Sequence, residues 1–500
     1  MHKKILIILI FLSLALSTYS IGEEDIYPAG YANSSEGEDA VYLTLEEVSQ
    51  LSLNNNFDIQ LAKFDAQLKE TDLDSARSIY DTIIEAEAQF KDDRKKTASS
   101  LAGTSQETHN YNFGISQKLP TGTTLGLDFD NQRYWTDSSF VEVNPAHDSS
   151  AKLTLKQELG RNFFGIRDRS NIKITKIDIQ NAQYTSLDKI EQTLSVVQET
   201  YWRVAQCLSL LTIRQDMLLK AKELFRINQE KFQRGIIEKP QLIASEANLR
   251  QREIDLLLAQ NELEFYINEF KLLLNLDNLD KTILPKETLD LVSEAIELSQ
   301  ALKAAFQHRR DYSLAKNEVE SKKIKLVMDK NNLWPEINLE ASVRRNGLNN
   351  HFSQAFKNIS SEDNPEYFLG LKVTLPLQNS QARSEFNKAK IQKAMALINL
   401  KKTECKILVD IKDSVRNCDI LEQRARKQKN VVNLQEEKLE AELKAYQYGR
   451  SDTDTIIRYQ DDLLLSELLY TQALMDYKQA LIELSLKENT LLDQYFKDAI

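Results

Sequence analysis

Few residues of this chain are arranged for covalent chemistry. The five histidines, His2, His109, His147, His308 and His351, are scattered, and no two are spaced as a metal-ligand pair. Paired acids occur at Asp92-Asp93 and Asp461-Asp462, but among 75 acidic residues such neighbours describe a solvated surface rather than a general acid and base. Lys95-Lys96 reads as charge that keeps a loop soluble. There is no HExxH, P-loop, GxSxG or CxxC, and no dinucleotide fingerprint behind a strand. Three cysteines, Cys207, Cys405 and Cys418, cannot build a disulfide framework. Cys418 continues the apolar row Leu408, Ile411, Val415 and reads as a small core residue. The residues thus predict no catalytic, cofactor-binding or metal site.

Those elements are long helices. Glycine (13) and proline (8) are scarce in 500 residues, and 28% are charged, a balance that favours uninterrupted helix. Lys3 and Lys4 precede the apolar run Ile5–Leu16, which has the length of a secretory signal core and is short for a membrane span. Residues 1–20 are therefore expected to be a signal peptide, cleaved near Thr18-Tyr19-Ser20 or after Ala15 or Ser17. No cysteine stands there for a lipid anchor. Its loss removes two lysines and no acid, taking the formal charge from −11 to −13. That acidity excludes nucleic acid as a partner. No later apolar run reaches about 18 residues, so an exported chain of this kind either stays soluble or crosses a membrane as strands.

The chain repeats one design twice. Asp58-Ile59-Gln60-Leu61-Ala62-Lys63 matches Asp311-Tyr312-Ser313-Leu314-Ala315-Lys316 at an offset of 253, which also pairs Ile84 with Ile337. Phe232-Gln233-Arg234-Gly235 matches Tyr446-Gln447-Tyr448-Gly449 at an offset of 214, which also pairs Arg169 with Arg383 and Leu249 with Leu463. Leu153-Thr154-Leu155 sits against Leu371-Lys372-Val373 at 218. The drop from 253 to 218 places about 35 extra residues of the first copy between Phe90 and Ser150. Two copies imply a pseudo-twofold plan rather than a solenoid.

Within each copy the pattern is helix, strands, very long helix, reversal, helix. Leu187, Ile190, Leu194, Val197, Tyr201, Val204, Leu208 and Leu211 alternate spacings of 3 and 4, a heptad seam for left-handed packing. Gly235 ends that helix, and Pro240 suits the first turn of the next, which carries Leu242, Leu249, Leu256, Leu263 and Phe270. Gly449 ends the second long helix, and Ile456, Leu463, Tyr470, Tyr477, Leu484 and Leu491 come after it at intervals of seven. The strands alternate apolar and polar residues. Examples are Ile84, Ala86, Ala88 and Phe90 against Glu85, Glu87 and Gln89, and Tyr367 through Leu377 against Phe368 through Pro376. Such strands suit either a half-buried soluble sheet or the wall of a water-filled barrel. Residues 111–134, with the turn Pro120-Thr121-Gly122-Thr123, read as an extra hairpin that either adds two barrel strands or forms a flap.

On these features the chain resembles the TolC family of outer-membrane efflux proteins over roughly Leu43 to Leu492. The resemblance is carried by the tandem repeat, by Leu43-Thr44-Leu45-Glu46-Glu47 with Asn54-Asn55-Asn56-Phe57-Asp58, by Trp334-Pro335-Glu336-Ile337-Asn338-Leu339, and by the aromatic-x-x-Gly reversals at Phe232 and Tyr446. It implies a fold that is mostly α with a transmembrane β-barrel contribution, closed as a homotrimer. Long antiparallel coiled-coil helices would form an α-barrel, joined to about four β-strands per protomer, or six with the extra hairpin. The expected layout is a signal peptide at 1–20, an extension at 21–42, a first repeat over 43–276, a second over 277–492 and a tail at 493–500. In the first repeat helices are expected at 44–80, 170–234 and 238–274 and strands within about 83–158. In the second, helices are expected at 288–332, 381–448 and 452–490 and strands at 336–346 and 367–377. Three copies of four strands would give a barrel of about 12.

The resemblance further implies an exit duct of a tripartite efflux or type I secretion system. Such a duct lies in the outer membrane, reaches into the periplasm, and works passively with a periplasmic adaptor and an inner-membrane pump. Family members often close the tunnel at the last reversal with an aromatic, a basic residue and paired aspartates. Here the aromatic is Tyr446, with Tyr448 beside it; Arg450 adjoins Ser451 at the basic position; and the positions of the acidic pair read Thr455 and Arg458, with acids instead at Asp452 and Asp454. Adaptor contacts are expected at Arg234, Gly235 and Ile236 and at Gly449, Arg450 and Ser451. The alternative is a periplasmic coiled-coil structural or adaptor protein with no barrel.

Overall fold

The computed structural model describes residues 40–96, 103–275, 282–293, 295–493 and 495. The expected signal peptide and most of the expected extension lie outside them. Two helices of 68 residues dominate, α4 (Ile166–Gln233) and α9 (Ser380–Gln447), each about 100 Å long at 1.5 Å per residue. Each is followed by a 36-residue return helix, α5 (Lys239–Leu274) and α10 (Thr453–Glu488). The remaining length of α4 is flanked by α1 (Leu45–Asn55), α2 (Phe57–Glu70) and α3 (Asp72–Arg77), and that of α9 by α6 (Leu298–His308) and α7 (Arg310–Asn331).

The repeat holds residue by residue. Adding 214 to the bounds of α4 and α5 gives those of α9 and α10, and adding 253 to those of α1 gives those of α6. The left-handed caps correspond as well: Asn275 at the end of α5 (φ 45) and Asn489 at the end of α10 (φ 55) are 214 apart.

Two expected helices break. The one expected over 44–80 stops at Asn56, whose backbone is extended (φ −64, ψ 130). The Asn56 side-chain oxygen accepts the N–H groups of Asp58 (2.8 Å) and Ile59 (3.1 Å), so this residue caps α2 instead of continuing α1. The one expected over 288–332 begins at Leu298 and breaks at Arg309. Both breaks fall where the flanking elements meet mid-length, at a collar that the sequence did not reveal. There β1 (Ala40–Leu43) pairs in parallel with β6 (Thr282–Pro285). The buried Tyr201 hydroxyl donates to the Leu43 carbonyl (3.1 Å) and accepts the Glu287 N–H (3.3 Å). Tyr201, Trp202, Val197, Val204, Phe270, Ile283 and Met475 form the largest buried cluster around it.

The other sheet has six antiparallel strands in the order β2 (Thr82–Asp93), β3 (Gln106–Lys118), β4 (Thr123–Thr136), β5 (Ala146–Glu158), β7 (Glu336–Asn349), β8 (Pro365–Thr374). The extra hairpin is therefore β3–β4, seated between β2 and β5, and the strand number is six rather than four. In the second copy β7 pairs directly with β8, so the extra residues of the first copy have been inserted sideways into the sheet. The last strand stops at Thr374, short of the expected 377, because Pro376 has no N–H for a ladder. A short helix, α8 (Phe352–Ser361), joins β7 to β8 and was not expected.

The collar is also where charge is buried. The Glu191 carboxylate is fully buried and meets the Arg310 guanidinium. It also accepts the Asn489 amide (2.6 Å) and the Leu492 N–H (3.3 Å). Asp188 supports Arg310 from 3.1 Å. Breaking such a pair strands a buried charge, so Arg310→Ala is expected to cost about 3–5 kcal/mol. Chemical denaturation would show this, with the double variant Arg310→Met, Glu191→Leu recovering most of the loss.

Candidate functional site

Two places can carry function without catalysis: the faces of the six-stranded sheet and the helix reversals. In the sheet the registers bring apolar residues together on one face. Ile84 stands opposite Ile115, Ile115 opposite Leu127, Leu127 opposite Leu153, Leu153 opposite Val343, and Val343 opposite Tyr367. The next rows add Phe113 and Phe129 on one side and Leu125, Leu155, Ala341 and Leu369 on the other. Ile84, Leu153, Tyr367 and Leu369 are exposed. The opposite face is polar: Glu85, Gly114, Asp128, Lys152, Arg344 and Glu366 form one cross-strand row. Amide side chains ladder along it, from Gln132 to Asn110 (3.2 Å) and from Asn112 to Glu87 (3.2 Å). A continuous exposed apolar face backed by a charged one is what a strand needs between lipid and water. Arg133 lies between His109 and His147 on neighbouring strands, and no cluster of metal-ligating side chains occurs among the described residues.

The two reversals have the same backbone design. At the first, Gly235 (φ 70) donates to the Phe232 carbonyl (2.9 Å) and Ile236 to that of Lys231 (2.9 Å). At the second, Gly449 (φ 72) donates to Tyr446 (3.1 Å) and Arg450 to Ala445 (2.9 Å). Both are Schellman ends, in which two orphan carbonyls of the helix are satisfied by the turn. The two return helices start differently. Asp452 caps α10 by accepting the Thr455 N–H (2.8 Å), whereas Glu238 places no side chain on α5, which relies on Pro240 in its first turn.

The expected aperture and adaptor residues gather at these ends but divide by burial. Tyr446 is 3% exposed. Its hydroxyl contacts Asn228 and Thr453, and the Lys231 ammonium lies 3.5 Å from its ring centroid. Burial pushes the Tyr446 phenol up and the Lys231 ammonium down from their ordinary values. Tyr446 thus ties its own chain's two helix pairs together. Tyr448, Arg450, Asp452, Asp454 and Arg458 are exposed, as are Arg234 and Ile236, while Thr455 and Ser451 are half-buried. Asn228, Lys231 and Thr453 were missed in the sequence. Asn228 is fully buried beside the apolar Ile227, beyond the seam read from Leu187 to Leu211.

Higher up, Glu467 borders a cavity of about 310 Å³ lined also by Ser209, Thr212, Lys429 and Tyr470. Burial raises its carboxyl to about 6. Cys207 is buried and its thiol is pushed up to about 12, while Cys418 donates to the Ala480 carbonyl (3.4 Å), so both act as core residues.

Neither a protein-family profile nor any curated protein matches the sequence. Solved structures do match. The Campylobacter jejuni outer-membrane channel CmeC superposes with a TM-score of 0.65 at 16% identity, covering 93% of both chains. The Vibrio cholerae outer-membrane protein VceC gives 0.65 at 13%, over 89% of this chain and 95% of its own. The open state of the Neisseria gonorrhoeae outer-membrane channel MtrE gives 0.65 at 15%, over 89% of each. The chain therefore has the fold of these outer-membrane channels, long antiparallel helices joined to a six-stranded antiparallel sheet, as the sequence resemblance implied.

A β-carbon added at Gly235 or Gly449 would meet no heavy atom within 4 Å beyond the adjoining residues of the turn. Ala at either site therefore meets only the left-handed backbone cost of about 1–2 kcal/mol, with Asn costing less, and thermal melts would rank the variants. Glu467 has a folded pKa raised above its unfolded value near 4.5, so its stabilising contribution is complete below that pH and is lost as pH rises through about 6. Glu467→Gln should then raise the melting temperature above pH 6 and leave it unchanged below pH 4.5.

Proposed function

We propose that this protein is the passive exit duct of a tripartite efflux or type I secretion system, closed as a homotrimer in the outer membrane. The observation that carries the reading is the six-stranded sheet with an exposed apolar face, a charged opposite face and two unpaired edges, β2 and β8. In hydrocarbon an unpaired backbone edge is not viable, so the sheet must be continued by another copy. An even strand number lets β8 of one copy meet β2 of the next antiparallel. Three copies give 18 strands where four-stranded protomers give 12. At about 4.8 Å between strands and a tilt near 40°, the backbone diameter rises from about 24 to about 36 Å. The inserted hairpin is therefore a device for a wide mouth.

Below the barrel the long helices continue the conduit into the periplasm. An inner-membrane pump, reached through a periplasmic adaptor, supplies the energy, and the chain performs no catalysis. The exposed Tyr448, Arg450, Asp452, Asp454 and Arg458 form the aperture, with Thr455 beside them, while Tyr446 keeps the reversal rigid. The adaptor meets Arg234, Gly235 and Ile236 and the turn Gly449-Arg450-Ser451. The 64% exposed Ile236 supplies an apolar anchor.

The purified mature chain is expected to need detergent, to run as a trimer and to conduct ions across planar bilayers. A monomer soluble without detergent and lacking conductance would overturn the reading in favour of a soluble coiled-coil protein. Gly449→Pro removes an N–H that donates to Tyr446 and forbids a φ of 72, so it should distort the aperture and impair export while trimers persist. Normal export by that variant would displace the gate from this turn.

A further inference from the structure

The apolar face of the sheet changes character at one level. On that face β3 reads Gln117, Ile115, Phe113, Tyr111, His109, and β4 reads Leu125, Leu127, Phe129, Asn131, Arg133. The registers set Phe90 opposite His109, His109 opposite Arg133, Arg133 opposite His147 and His147 opposite Asn349, so these residues form one row across β2, β3, β4, β5 and β7. From Gln117 to His109 is about 27 Å of strand, or about 21 Å along the normal at a tilt near 40°, against an apolar band of about 25 Å in transmembrane barrels. The row therefore stands where hydrocarbon gives way to headgroups. It is the boundary farther from the helices, since His147 opens β5 and α4 begins beyond Glu158 at the other end.

Three side chains that take a positive charge thus stand shoulder to shoulder, about 5 Å apart, and the row contains no acid. Like charges directly opposed on neighbouring strands repel, and an anion seated among them relieves the repulsion. Glu107, in the next row outward, reaches Arg133 at 3.8 Å, long for an ion pair. The Nδ1 of His147 is buried and has no hydrogen-bond partner among the described residues. Rings close both flanks. Phe90 and Tyr111 lie 4.8 and 6.4 Å from the His109 ring, and Phe352 lies 6.2 Å from the His147 ring and 6.0 Å from Phe356. Phe352 and Phe356 belong to α8, which is seated on this same face. A β-carbon added at Gly347, in the adjoining row beside Ser149, would run into the Ala355 carbonyl and the Asn358 side chain. Ala355 is fully buried there, while both phenylalanines are exposed, as in a helix that lies in a membrane interface.

We propose that Arg133, flanked by His109 and His147, holds the headgroup phosphate of an outer-leaflet lipid, with Phe352 and Phe356 of α8 walling the site beside the acyl chains. This rests on the duct reading and adds a ligand to its lipid-facing surface. A phosphate suits the row because the guanidinium fork donates to two of its oxygens and an imidazole N–H from either side donates to a third. A zwitterionic headgroup brings its own cation to the same phosphate, so an anionic lipid binds in preference to it.

The test uses the purified mature chain in detergent, with phosphatidic acid or phosphatidylcholine added as mixed micelles. Native mass spectrometry counts the lipid retained and gives the particle mass on the same sample. Trimers are expected to retain phosphatidic acid at about tenfold lower concentration than phosphatidylcholine, the margin of one charge-assisted hydrogen bond. Arg133→Gln should erase that preference. Lys91→Gln, at the same height on the opposite, polar face, should leave it intact. His147→Gln should lower it about threefold and is the decisive variant if Arg133→Gln yields no trimers. Trimers that show no preference, a preference untouched by the variants in the row, or one lost equally in Lys91→Gln overturns the site and leaves the duct reading standing. Displacement of the lipid by inorganic phosphate reduces the row to a site for the free anion and overturns the lipid assignment. A monomer soluble without detergent overturns both readings.

Discussion

On the proposed duct reading, an open sheet edge in lipid is the constraint on which the rest of this molecule depends. Each backbone N–H and C=O along β2 and β8 needs a partner, and none is available from hydrocarbon. One chain supplies six strands, with β2 and β8 as open edges. The helices are unevenly covered: α4 packs on helices of both repeats, and α9 mainly on α6, α7 and α10 of its own. On that reading the same requirement accounts for the alternating faces of the strands.

Within the chain the two halves are held together by directional polar contacts. Buried polar pairs, among them Arg310 with Glu191 and Tyr446 with Asn228, give direction and a unique register. They contribute less net stability than apolar packing of similar size would, because both partners are desolvated. Their place beside the collar and beside the reversal suits a joint that is never taken apart.

Much of this plan was legible in the sequence because it is periodic. The heptad row through Ile190, Leu194, Val197, Tyr201 and Val204 is buried as its spacing required, and the two reversals fall at Gly235 and Gly449. The alternation in Ile84–Phe90 and Tyr367–Leu371 marked strands whose two faces differ as read. The collar was not legible. β1 and β6 are four residues each and pair across more than 240 positions, so neither carries a pattern of its own. The breaks at Asn56 and Arg309 were also missed, since helical spacing continues through them and only the capping geometry ends the helix. The hairpin was seen, but not its place, because pairing partners are set by three-dimensional neighbours rather than by local alternation. At the reversal, Tyr446 was read as lining an opening, and its ring is turned into its own protomer. The sequence marks the aromatic but not the Asn228 and Thr453 that receive its hydroxyl.

The matched lengths of α4 and α9 act as a pair of rulers. One residue added to either would rotate everything beyond it by about 100° and advance it by about 1.5 Å, throwing its tip out of level with the other and its seam off its neighbours. Growth along the axis is therefore possible only in concert, in both long helices and both return helices together. Growth around the axis has no such penalty, since a hairpin slipped between two strands disturbs no helix. Variation in bore is cheap in this architecture, while variation in depth is nearly forbidden.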